Sequence, residues 1–68
     1  MKYKTCEIEI FPPECQLNPE LYMKAYTVTI YDNESKTYRE LYISSDLTKK
    51  QVTKIAKFVV HDIISDKT

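Results

Sequence analysis

The sequence predicts an α+β fold, a three-stranded antiparallel sheet with one C-terminal helix packed on one face, in the order β-β-β-α. Three observations predict it. Residues 2–11, 21–31 and 37–45 alternate apolar and polar side chains with the period of two that a half-buried strand requires. Residues 48–65 instead space their apolar side chains at i, i+3, i+4 and i+7, the period of an amphipathic helix. The chain has 68 residues, 43% of them hydrophobic and 29% charged, which suffices for one small core and a single domain over residues 1–68.

Each element has its own justification. In the first strand, residues 2–11, Cys6, Ile8 and Ile10 share one face, while Thr5, Glu7 and Glu9 share the other. Pro12 and Pro13 stop it, because neither can donate to a sheet ladder. Residues 12–20 read as a loop. The second strand, residues 21–31, is rich in tyrosine, threonine, valine and isoleucine. Tyr26, Val28 and Ile30 face inward there; Thr27, Thr29 and Tyr31 face outward. Asp32-Asn33-Glu34-Ser35-Lys36 forms a turn of residues suited to local side-chain capping. The chain has no glycine, so Asn33 is the expected left-handed position.

The third strand, residues 37–45, points Leu41 and Ile43 inward and Tyr38, Glu40 and Tyr42 outward. Because opposed residues share a face, its register against the second strand must pair an odd with an even number. Tyr31 opposite Tyr38, or opposite Lys36, satisfies this. The helix start carries the sharpest local signal. Thr48 and Gln51 have the spacing of a capping box, and Leu47 and Val52 that of a hydrophobic staple. Val52, Ile55, Ala56, Val59, Val60 and Ile63 then form the buried stripe, widened by Ile64. The polar end, residues 65–68, is expected to fray. The expected core is Cys6, Ile8, Ile10, Tyr26, Val28, Ile30, Leu41, Ile43 and the helix stripe, with no second helix over the outer sheet face.

Composition excludes several functions. Without glycine there is no phosphate-binding loop, dinucleotide fingerprint or glycine-flanked nucleophile elbow. An enclosed active site of about 300 Å³ would hollow out most of so small a core. No stretch approaches the ~18 apolar residues of a membrane span. The basic N-terminus has no apolar run behind it, so a cytoplasmic protein is expected. Cys6 and Cys15 are then expected as free thiols. His61 falls opposite the apolar stripe, with no partner visible to orient it as a base. Cys6, Cys15 and His61 have no recognised metal-ligand spacing. No enzyme activity, cofactor or metal is expected.

Two surfaces remain as candidates. Tyr3, Tyr31, Tyr38 and Tyr42 fall on the outer sheet face with Thr5, Thr27, Thr29, Glu7, Glu9 and Glu40. Tyrosine and threonine are good strand residues on any solvated face, yet four large aromatics exceed what propensity needs. Glutamates repel phosphate, so the face suits a protein partner or a second copy of the chain. The other surface is the helix. Lys50, Lys54, Lys57 and His61 line one side, where they could meet nucleic-acid phosphates; lysine is also an ordinary helix former on a solvated face. The formal net charge of zero is a cancellation. Residues 47–68 carry five lysines against two aspartates, net +3, and residues 1–46 five basic against eight acidic groups, net −3.

Strand, turn, strand, then Leu47-Thr48-Lys49-Lys50-Gln51-Val52 opening a helix resembles the arm-site DNA-binding domains of tyrosine-type phage integrases. Those domains have three strands and one helix, and the helix often opens with a hydrophobic residue followed by Thr-Lys-Lys-Glu-Ala. Gln51 and Val52 stand in the last two places here. The family reads DNA with a sheet rich in arginine and lysine and has glycine in the turn. This chain has Glu7, Glu9 and Glu40 on the sheet and Asp32-Asn33-Glu34 in the turn. The resemblance implies the topology; together with the small size and the absence of a catalytic group it fits a small accessory protein of a phage or other mobile element. The expected function is a non-enzymatic binding module that docks on a protein, or on itself, through the tyrosine-bearing face. The alternative is nucleic-acid binding through Lys50, Lys54, Lys57 and His61.

Overall fold

The alternation over the first ten residues is folded back on itself. In the computed structural model, which describes residues 1–65, this segment forms a hairpin of β1, Lys2–Tyr3, and β2, Cys6–Phe11. Most of the polar tail, positions 66–68, and its expected fraying lie outside the described residues. The hairpin turns on Lys4 and Thr5, with Lys4 at φ 55°. The sheet therefore has four strands where three were expected. It also reverses the expected placement of Tyr3. Tyr3 pairs with Cys6, and directly paired residues share a face. Tyr3 thus lies on the helix side with the buried Cys6, away from the outer face.

β3 is Ala25–Asp32 and β4 is Thr37–Ser44. All neighbours are antiparallel, in the spatial order β1-β2-β3-β4. Of the two registers allowed by parity, Tyr31 opposite Tyr38 is the one formed. β3 starts four residues later than its composition suggests, because residues 21–24 spend backbone groups on local turns and on the Pro13 carbonyl and the Ser45 amide. The Asn18 carbonyl accepts from the Leu21 and Tyr22 amides, and the Leu21 carbonyl from Lys24 and Ala25. Met23 sits at φ 60°. Upstream, Pro13–Cys15 makes a short 3-10 turn. In the β3–β4 turn the left-handed residue is Lys36, φ 60°, not Asn33. Asn33 is held instead by the neighbouring hairpin: its amide and its side-chain Nδ2 both donate to the Thr5 carbonyl, at 3.0 and 3.3 Å.

Helix α1, Lys49–Ser65, begins as its sequence requires. The Gln51 amide donates to Thr48 Oγ1 (3.2 Å) and the Thr48 amide donates to Gln51 Oε1 (2.9 Å), closing both halves of the capping box. α1 lies across β2 and β3. The buried core is Cys6, Ile8, Val28 and Ile30 from the sheet and Val52, Ala56, Val60 and Ile63 from the helix. Ala56, in mid-stripe, is fully buried. Ile10, Tyr26, Leu41, Ile43 and Val59 are only partly covered, and Ile55 is 37% exposed. One helix spans about two strands at 4.8 Å spacing, so β4 is left at the margin. Among the described residues, no helix is long and apolar enough to cross a membrane.

Candidate functional site

The outer sheet face is built from cross-strand rows. Lys2, Glu7, Tyr31 and Tyr38 form the first; Glu9, Thr29 and Glu40 the second; Phe11, Thr27 and Tyr42 the third; and Ala25 and Ser44 a short fourth. The register thus brings six of the seven expected docking residues onto one surface: Tyr31, Tyr38, Tyr42, Thr27, Thr29 and Glu40. Tyr3 is excluded by the β1–β2 turn.

Glu40 organises the β4 part of this face. Its two neighbours at i−2 and i+2 lie on the same side of the strand, and both give it their hydroxyl protons. Tyr38 donates to Oε2 at 3.2 Å and Tyr42 to Oε1. Both rings are 57% exposed, and one carboxylate fixes both hydroxyls. Both tyrosines ionise at higher pH than an ordinary tyrosine. For Tyr38 desolvation leads, followed by the Glu40 hydrogen bond and the negative charges of Glu40 and Glu9. For Tyr42 the Glu40 hydrogen bond leads, followed by that carboxylate's charge. The face therefore presents neutral phenols around carboxylates at physiological pH.

One end of the face is covered by a loop. The segment between β2 and β3 folds over it, pinned by Gln16. The Gln16 side chain donates to the carbonyls of Phe11 (3.1 Å) and Pro12 (3.3 Å) and accepts the Thr27 hydroxyl (2.6 Å). Thr27 is thereby a support for the loop. Between loop and sheet lies an open hollow of about 310 Å³, walled by Phe11, Leu17, Leu21 and Tyr42 among others. Leu17 is 99% exposed. Phe11 and Gln16 carried no functional expectation. Phe11 was nonetheless visible as the outward continuation of Glu7 and Glu9, whereas the Gln16 bridge joins positions eleven apart and left no local sign.

The helix candidates meet two settings, and Lys57 belongs to both. Lys57 and His61 lean onto Tyr3. The Lys57 ammonium lies 5.2 Å from the ring centroid, His61 Nε2 is 3.0 Å from the Tyr3 hydroxyl, and the two rings meet edge to face. Lys4 approaches the same ring at 5.7 Å. Lys50, Lys54 and Lys57, with Thr53, border a shallow trough of about 350 Å³. Cys6 is buried and Cys15 exposed, and they are not bonded to each other. Among the described residues, no group of three or more His, Cys, Asp or Glu side chains is placed to hold a metal ion. Compared with protein-family models, with curated proteins and with solved structures, the chain matches none.

Proposed function

We propose that this chain is a non-enzymatic docking module that binds a protein partner through its outer sheet face, with Tyr38 and Tyr42 as anchors. The observation that carries this reading is the Tyr38–Glu40–Tyr42 arrangement. Two large, half-exposed rings are held by a single carboxylate on a rigid strand. Tyrosines so fixed lose little rotamer freedom on binding, and amphipathic rings are favoured anchors at protein interfaces. Glu7, Glu9 and Glu40 make the face acidic, which suits a partner bearing basic side chains. An accessory role in a phage or other mobile element is part of this proposal; it rests on the size of the chain and on its resemblance to integrase arm-binding domains.

The test compares Tyr38→Ala/Tyr42→Ala with the wild type. Both rings project into solvent, so the thermal melt should be unchanged. Affinity for a partner isolated with the wild-type chain should fall by about 100-fold or more, the loss expected of two anchor side chains. Wild-type affinity in the double variant would sink the reading.

A second reading is nucleic-acid binding through the trough edged by Lys50, Lys54 and Lys57. Engagement of about four phosphates would give a log–log salt slope near −3.6. Binding independent of salt, or no binding to a DNA duplex at about 50 mM salt, removes it.

A further inference from the structure

The helix carries an apolar feature that neither the core nor the tyrosine face uses. Phe58 is 71% exposed, on the side of α1 opposite the buried Val52, Ala56, Val60 and Ile63. With Lys54, Ile55 and Val59 it edges a shallow hollow of about 280 Å³. A solvent-facing phenylalanine adds nothing to helix propensity and exposes apolar surface to association.

Its neighbours indicate what covers it. At 3.6 residues per turn, positions four apart differ by only ~40° around the axis. Lys54, Phe58 and Asp62 therefore form one row up the solvent side of the helix, a cation, a ring and an anion. Neither charged side chain has a hydrogen bond or ion pair with any other described residue. The row is self-complementary when reversed. A two-fold axis at Phe58 sets residues equally far before and after it against each other. Phe58 then meets Phe58, Lys54 of each copy meets Asp62 of the other, and Ile55 flanks the contact.

We propose that a second copy of this chain docks on α1 in antiparallel fashion, Phe58 against Phe58, closed by two symmetric Lys54–Asp62 pairs. The interface is isologous, as a closed dimer requires. The helices pack at the ordinary 8–10 Å separation, giving four layers in the order sheet, helix, helix, sheet. The two tyrosine faces then point in opposite directions. If those faces bind partners as proposed above, the dimer is bivalent; the dimer itself does not depend on that reading.

Sedimentation of the full chain from about 5 to 500 µM, in low salt, tests this. A reversible dimer is expected with a dissociation constant of about 10–100 µM, typical of an interface at the small end of the range. Lys54→Asp alone, or Asp62→Lys alone, should weaken it about tenfold by setting like charges together. The combined Lys54→Asp/Asp62→Lys variant should recover wild-type association, and Phe58→Asp should remain monomeric. Thermal melts confirm that each variant is folded. Asp62→Lys is especially telling, because a cation near the helix C-terminus favours the helix while opposing the dimer. A wild type monomeric at about 500 µM, or a combined variant no better than the single ones, overturns the proposal. So does a dimer lost with Tyr38→Ala/Tyr42→Ala and retained with Phe58→Asp; that pattern would place self-association on the sheet face instead.

Discussion

Asp32 accepts hydrogen bonds from three groups at the end of the sheet: the Thr5 hydroxyl (2.7 Å), the Glu34 amide (3.2 Å) and the Ser35 hydroxyl (2.7 Å). It is fully buried, and it joins the β1–β2 turn to the β3–β4 turn. Replacing it by alanine removes the shared acceptor, which should cost about 2–3 kcal/mol; urea denaturation measures this directly. The sequence reads Asp32 as the first residue of a turn suited to local side-chain capping. Its even number, continuing Tyr26, Val28 and Ile30, placed it on the inner face, but only the Thr5 turn folding across it supplies the burial. Lys36 is a similar case. Asn33 tolerates a left-handed backbone best in isolation, yet its hydrogen bonds to Thr5 hold it elsewhere, and the left-handed step falls to Lys36 at a cost of about 1–2 kcal/mol.

At the scale of elements, α1 and the pairing of β3 with β4 were legible because their signals are local or periodic. The capping box needs only four consecutive residues, and the stripe from Val52 to Ile63 repeats over about three turns. Thr48→Ala should destabilise the protein by about 1 kcal/mol, since it strips a hydrogen bond from the Gln51 amide and opens the box; a thermal melt with circular dichroism detects it. The β1–β2 hairpin was legible only faintly. Lys4-Thr5 has none of the glycine or asparagine that marks a two-residue turn, and the one local sign is a slip of phase, two polar residues between Tyr3 and the even-numbered apolar series Cys6, Ile8 and Ile10. What makes the turn is remote in sequence: Thr5 is tied to Asp32 and Asn33. Through that turn Tyr3 leaves the outer face and meets Lys57 and His61.

For the whole molecule, helix position decides which apolar residues are core. α1 sits over β2 and β3, so Ile8 is buried to 1% while Ile55, at a nominal stripe position, hangs over the margin by β4. Ile8→Ala should cost about 2–5 kcal/mol, much or all of a margin of about 3–5 kcal/mol. Ile55→Ala should change stability by less than about 1 kcal/mol. Chemical denaturation of the two variants side by side checks this, and equal losses would mean that the helix sits nearer β4. The charge asymmetry belongs to the same scale. The acidic groups Glu7, Glu9 and Glu40 cluster on the outer sheet face, and Lys49, Lys50, Lys54 and Lys57 lie along the helix on the opposite side, so a net charge of zero describes a molecule with two unlike faces.

By itself the sequence determined which face of each strand and helix is apolar, where the helix begins, and that tyrosine and glutamate share the outer side of β3 and β4. Side-chain period and capping chemistry act over a few residues, and nothing distant overrides them here. Tertiary structure decided the rest. It turned the first strand into a hairpin, moved Tyr3 to the helix side and folded the Gln16 loop over one end of the outer face. Each of those outcomes depends on hydrogen bonds or packing between groups far apart in the chain, and one-dimensional periodicity carries no record of which distant groups will meet.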